Sequence, residues 1–340
     1  MINLVNNNNL IKNFFIKINW TVYSFLSFLA FIGGMILYSV SQGNFYPLAS
    51  SHFFKYLVSS IALFFTCFIS INFIYKSSYA VYFFSIILLI IVLFFGDDSL
   101  GSNRWLYLGG FTFQPSEFSK VAVIIALARY YNDYHFLSNN NILKVFFPIL
   151  IFIIPFSLVI KQPDLGTGLL ILISSLAVIF LSGISLWYIL FSTVLFASLA
   201  PLLWNFLYDY QKKRILTFLN PEQDPLGSGY HIAQSKIAIG SGGFLGKGYI
   251  QGSQSHLEFI PEMHTDFVFS IFSEEFGFLG STILIFIYSY VLCYGLYSSY
   301  KAKSTYSRLI IAGLTVNIFL YFNRVACCCT DSDVMFIKNS

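Results

Sequence analysis

The chain has 340 residues, of which 57% are hydrophobic, 20% aromatic and only 10% charged, with a mean hydropathy of +0.72. That balance is too apolar for one soluble core and implies an integral membrane protein. No nucleic-acid partner is expected, and the five cysteines suggest neither a disulfide framework nor a zinc site: Cys67 and Cys293 lie in apolar runs, and Cys327, Cys328 and Cys329 are adjacent.

The first 19 residues form an Asn-rich tail carrying Lys12 and Lys17, and the apolar run that follows is long enough to span, so no cleavable signal peptide is expected. A membrane helix needs about 20 apolar residues to cross roughly 30 Å of hydrocarbon. Runs approaching that length are predicted near 20–40, 53–74, 79–95, 117–131, 145–160, 165–182, 186–205, 266–298 and 307–322. The expected fold class is therefore all-α, a polytopic transmembrane bundle with eight complete spans and a partial ninth. Pro115 and Ser116 predict the start of the fourth span, and Arg129 closes it on a charge.

Basic residues give an orientation. With a cytoplasmic N-terminus, the inner segments hold Lys12, Lys17, Lys76, Arg129, Lys144, Lys301, Lys303 and Arg308, against Lys55, Arg104 and Lys161 in the short outer connections. The polar, glycine-rich stretch 206–264 then lies outside as one long loop.

In this topology four polar groups share the outer side: RWLYLGGFTFQPSEFSK at 104–120, KQPDLG at 161–166, the long loop, and HTDF at 264–267. Asp266 is the candidate working group, because a carboxylate at the mouth of an apolar helix loses hydration without a compensating role. Arg104, beside Trp105 and Tyr107, reads equally as an interfacial anchor. Glu117 and Lys120 stand one helical turn apart and are expected to pair, and Asp164 sits where a carboxylate caps the sixth span. Glu274 and Glu275 follow Asp266 by about 12 to 14 Å of helix, and one of them is expected to face the bundle interior, paired with Arg129 or Lys120.

The loop contains GSGGFLGKG at 240–248, which fits neither the Walker pattern nor GxGxxG, so its glycines are expected to serve tight turns and close backbone approach near a ligand. His256, Glu258, Glu262 and His264 match no zinc spacing. No tightly bound cofactor is expected. A magnesium or manganese ion shared with a substrate phosphate stays open, since such ions need only one or two carboxylates.

Taken together, FQPSEFSK, QPDLGTGLL, the stretch from DYQKKRIL to GFLGKG, and SQSHLEFIPEMHTDFVFSIFSEEFGFLG resemble the SEDS family of shape, elongation, division and sporulation proteins, in the wording of its cell-elongation branch. The resemblance runs from the first span to about residue 322. It implies a ten-helix fold in the bacterial inner membrane and a peptidoglycan glycosyltransferase that polymerises lipid II on the outer face. It also implies a class B penicillin-binding protein as crosslinking partner, among other elongation proteins and membrane lipids. Asp266 then corresponds to the family's catalytic aspartate, and Glu117 and Asp164 to two further motif acids. Arg104, Glu117, Lys120, Asp164, Lys212, Lys213, Arg214, Lys236 and His264 are the candidate substrate contacts. Residues 323–340 depart from the family pattern, so a truncation is inferred, with a single SEDS domain over 1–322 and an aberrant tail. The alternatives are a lipid II flippase, a septal polymerase of the same chemistry, and an inactive scaffold.

Overall fold

The computed structural model describes residues 18–99, 102–108, 111–133, 143–162, 164–183, 228–252 and 268–329, with isolated positions between 187 and 216. The helices are α1 (Trp20–Val40), α2 (Leu48–Phe68), α3 (Ile71–Phe95), α4 (Pro115–Asp133), α5 (Leu143–Lys161), α6 (Leu165–Leu181), α7 (Ser228–Ser241), α8 (Val268–Lys301) and α9 (Thr305–Cys329). Five of these stretches are long and apolar enough to cross a membrane: α1, α2, α3, α8 and the Thr305–Asn323 part of α9. Phe146–Lys161 and Leu165–Leu181 are shorter apolar helices. The chain is a multi-pass membrane protein, and Phe65, Phe68, Phe94 and Phe286 stand exposed on its helices as side chains that face lipid would.

Some boundaries move from their expected places. The sequence predicts a break between 74 and 79, yet the second and third helices part at Ile69 and Ser70. The polar turn at Lys76 to Ser78 stays helical because its polar groups are satisfied there. The Ser78 hydroxyl donates to the carbonyls of Ile74 and Tyr75 at 2.8 and 2.9 Å, and the Lys76 carbonyl accepts from Arg129. Helix α9 continues to Cys329, past residue 322 where the apolar character is expected to stop. The expected span 186–205 lies almost wholly outside the described residues, and the 206–264 loop contains α7.

Three short strands, β1 (Asp97–Ser99), β2 (Ser102–Leu108) and β3 (Phe111–Phe113), form an antiparallel meander between α3 and α4. The segment is rich in Trp, Tyr, Thr and Phe, residue types that favour strands. Strand β2 packs on α3 and α4, and Leu106 faces Phe113 in its register with β3.

The chain divides into two compact units, one of 1–70, 216–291 and 321–340 and another of 71–215 and 292–320. In the second, α4 supplies the core: Val123, Ile124, Ala126, Leu127 and Ala128 are buried with Tyr82, Val178, Ile179 and Leu309. Gly313 lets α9 approach this core, because a methyl there would sit 2.7 Å from both Ile124 and Val178. In the first, Ile36 and Val40 of α1 pack with Ile271, Phe272 and Leu284 of α8.

Candidate functional site

Two clusters of acids stand out, one in each unit. The first joins the FQPSE and QPDLG motifs. Helix α4 starts at Pro115, whose fixed φ suits the first turn, and places Glu117 and Lys120 on one face. The Lys120 ammonium donates to Glu117 Oε1 at 2.8 Å; the Lys120 side chain is fully buried while that of Glu117 is 43% exposed. Asp164 caps α6: it accepts from the Thr167 amide at 3.2 Å and from the Thr167 hydroxyl at 2.8 Å. The Gln114 amide donates to Asp164 Oδ2 at 3.3 Å, which brings the two motifs together. Gln162 donates to the Leu89 carbonyl at 2.8 Å and ties the start of α6 to α3. Both expected local roles, the pair and the cap, are present, and Gln114 is the connecting residue that spacing alone could not reveal.

The second cluster lies where α8 is broken. Gly277 has φ 66° and ψ −162°, a conformation reserved in practice for glycine, and helix runs on either side of it. In an unbroken helix the amides of Phe278 and Leu279 would donate to the carbonyls of Glu274 and Glu275. Instead Phe278 donates to the Gly243 carbonyl at 2.9 Å and Leu279 to that of Phe244 at 3.1 Å. The freed carbonyls of Glu274 and Glu275 accept from the amides of Lys247 and Gly248 at 3.0 and 3.1 Å. The loop thus replaces both missing helical bonds with four of its own. Leaving such groups buried and unmade would cost about 1 to 3 kcal/mol each.

Close backbone approach requires glycine here. A methyl on Gly242 would collide with the Ser273 carbonyl, one on Gly246 with the Glu275 carbonyl, and one on Gly277 with the Gly246 amide. Gly242 and Gly246 of GSGGFLGKG thus provide the close backbone approach that the sequence predicts, made here against the broken helix.

Side chains reinforce this junction. Glu274 and Glu275 are both buried; Lys247 donates to Glu274 Oε1 at 2.6 Å, and the Ser39 hydroxyl donates to Glu275 Oε1. Tyr249 donates to the Met35 carbonyl at 2.9 Å, and partial burial beside Glu275 and Tyr38 pushes its phenol above the usual range, keeping it a neutral donor. Glu274 is met by Lys247, where the sequence points to Arg129 or Lys120. Lys120 pairs with Glu117, while Arg129 donates to the Lys76 carbonyl, pairs with Asp133 at 3.6 Å and stacks on Tyr75 and Tyr79. The acids found their partners in segments that the helix-by-helix reading treated as separate.

The other candidates are less defined. Arg104 lies in β2 and its side chain is outside the described residues, as are Lys213, Arg214 and His264. Lys212 is an isolated, half-buried position, and Lys236 is half-buried on α7. Asp266 itself is outside the described residues, two positions before α8 begins. Among the described residues no three His, Cys, Asp or Glu side chains come together as metal ligands.

The model of the FtsW/RodA/SpoVE family, described as cell cycle proteins, matches residues 14–328, a stretch that takes in every motif above. The chain belongs to this family. It is 48% identical over 231 residues to the peptidoglycan glycosyltransferase MrdB of Escherichia coli K12, a match covering 67% of this chain and 61% of that protein's length. A second MrdB, from Helicobacter pylori J99, is 34% identical over 308 residues, covering 87% of this chain and 75% of the relative. A probable FtsW from Wigglesworthia glossinidia brevipalpis is 34% identical over 294 residues, covering 84% and 76%. Among solved structures, a peptidoglycan synthase complex that coordinates polymerization and crosslinking superposes with a TM-score of 0.79 at 25% identity, over 92% of this chain and 88% of the other. The rod shape determining protein RodA of Thermus thermophilus shares the fold, with a TM-score of 0.63 at 22% identity over 88% and 81% of the two chains.

Proposed function

We propose that this family member is a peptidoglycan glycosyltransferase of the bacterial inner membrane that polymerises lipid II into glycan strands during cell elongation. The 48% identity to a protein named peptidoglycan glycosyltransferase MrdB carries the reading. The loop wording NPEQDPLGSGYHIAQSKIAIGSGG favours elongation over septation.

In this reading Asp266 is the general base. It takes the proton of the acceptor sugar's 4-hydroxyl as that oxygen attacks the donor's anomeric carbon; the bond from that carbon to the lipid pyrophosphate breaks, and the pyrophosphate leaves with the electron pair. One direct displacement inverts the anomeric configuration, with no covalent enzyme intermediate. Arg104, Lys212, Lys213, Arg214 and Lys236 supply positive charge for the pyrophosphate, and His264 lies beside the base in the motif. Lys120, being buried, serves by holding Glu117, whose carboxylate is the exposed member of the pair. A magnesium or manganese ion shared with the pyrophosphate would add to the same neutralisation.

The membrane orientation belongs to the proposal too: a cytoplasmic N-terminus, with 206–264 on the outer face. So does a class B penicillin-binding protein as partner, a reading supported by the likeness to a synthase complex that couples polymerization to crosslinking.

The test is lipid II polymerisation by the purified protein in detergent, with and without the transpeptidase. Polymer without a membrane is expected, which a pure flippase cannot make. Asp266→Asn should lower the rate at least about a hundredfold. An unchanged rate in that variant would overturn the assignment of the base.

A further inference from the structure

We propose that the loop tip carrying Phe244 and Leu245 is seated in the lipid bilayer against α8, just inside the edge of the hydrocarbon, although the stretch around it reads as an aqueous loop. This placement is independent of the reaction proposed above.

Depth can be read from α1 within the first unit. Its 21 residues, Trp20–Val40, are about 31 Å long at 1.5 Å per residue, enough to cross the hydrocarbon once. Exposed aromatic side chains stand at both ends, Trp20 at the start and Phe45 and Tyr46 in the turn beyond Val40, as they do at membrane surfaces. Helix α8 runs antiparallel to α1: the Phe25 and Tyr290 rings lie 4.7 Å apart, and the Ser39 hydroxyl donates to Glu275. Counting along both helices between these two contacts sets Phe278 and Leu279 level with Ile36 and Met35, roughly 6 to 7 Å inside the end of α1.

At that level the loop adds its own apolar side chains to those of α8. Phe244 is 65% exposed, Leu245 75% and Phe278 64%, and the Phe244 ring stacks on that of Phe278 at 6.0 Å. Further along α8, Leu279, Ile283, Phe286 and Tyr290 are exposed at helical spacing and form one stripe. The tip therefore continues a surface that already faces lipid. In water the same three side chains would make an exposed apolar patch on a loop.

Non-helical backbone is tolerated in hydrocarbon only where protein satisfies its polar groups, because water is absent there. The tip meets that demand through α8. The carbonyls of Gly243 and Phe244 accept from Phe278 and Leu279, the amides of Lys247 and Gly248 donate to Glu274 and Glu275, and the Gly246 amide donates back to Gly242. The break at Gly277 frees the four α8 groups that make this possible. The first charge after the tip, on Lys247, is neutralised by Glu274 at 2.6 Å.

The test is spin-label accessibility in the full chain, reconstituted in vesicles of phosphatidylethanolamine and phosphatidylglycerol with its five native cysteines replaced by alanine. A label at Leu245→Cys is challenged with oxygen, which concentrates in hydrocarbon, and with a water-soluble nickel chelate. Labels at Phe286→Cys on the lipid face of α8 and at Ser304→Cys in the exposed turn after it give the two references. The oxygen-to-nickel collision ratio at 245 should be several-fold above that at 304 and approach that at 286. Phe244→Cys should behave in the same way and gives a second site if the first variant does not fold. A ratio at both sites matching that at 304 puts the tip in water and overturns the proposal. Low collision with both reagents marks cover by protein, from a second copy or another segment of the chain, and overturns it too.

Discussion

Glu117 finds Lys120 one helical turn away and Asp164 finds Thr167 in the first turn of its own helix, three positions on in each case. Glu274 and Glu275 are met by Lys247 and Ser39, 27 and 236 positions distant. The first cluster assembles as soon as α4 and α6 form, and tertiary structure adds the link from Gln114. The second exists only once a loop has been threaded against a broken helix with glycine at each crossing. Local charge pairs tolerate backbone adjustment, whereas an interlock of backbones does not.

The largest expected effect therefore falls on the glycines. Gly246→Ala places a methyl against the Glu275 carbonyl at a residue with φ 84°, where neither a rotamer change nor a small backbone shift relieves the contact. Collision and left-handed strain together should cost at least about 3 kcal/mol, read as a lower melting temperature in detergent. Gly240→Ala is the control: its methyl would meet nothing within 4 Å, and in helix α7 it should be neutral or stabilise by up to about 1 kcal/mol. Equal stability of the two variants would break the idea of an interlock.

A smaller contrast lies within the first cluster. Removing Glu117 strips the carboxylate from a fully buried ammonium, while removing Lys120 leaves a carboxylate already 43% exposed and able to hydrate. Glu117→Gln should thus lower the melting temperature more than Lys120→Met does. The reverse order in thermal denaturation would show that the pair's burial does not govern its energetics.

This contrast also explains what the sequence discloses. Helix α4, its Pro115 start, the Glu117–Lys120 pair and the Asp164 cap follow from spacings of three or four residues and from helix-end chemistry, so they are legible in one dimension. The break at Gly277 is not, because EEFGFLG keeps its apolar character across the glycine and reads as one long tilted span. The cation that meets Glu274 lies in the loop just upstream, where helix spacing points to basic residues on other spans. The strand meander at 97–113 escaped for a related reason: windows of membrane length average out such short segments.

Asp164 offers the finest test, because its cap and its proposed place at the substrate make separable demands. Asp164→Ala removes the acceptor for the Thr167 amide, the Thr167 hydroxyl and Gln114, and should cost about 1 kcal/mol, the usual worth of an N-cap. Asp164→Asn keeps an oxygen for the Thr167 amide and should lose only a few tenths, roughly the scatter among good capping residues. If capping is the whole role, polymerisation per folded molecule follows stability, and the Asn variant is nearly as active as the wild type. If the carboxylate also works on substrate, the Asn variant keeps its melting temperature and loses activity. The charge then matters beyond the helix it starts, and the locally built cluster does more than hold α4 and α6 together.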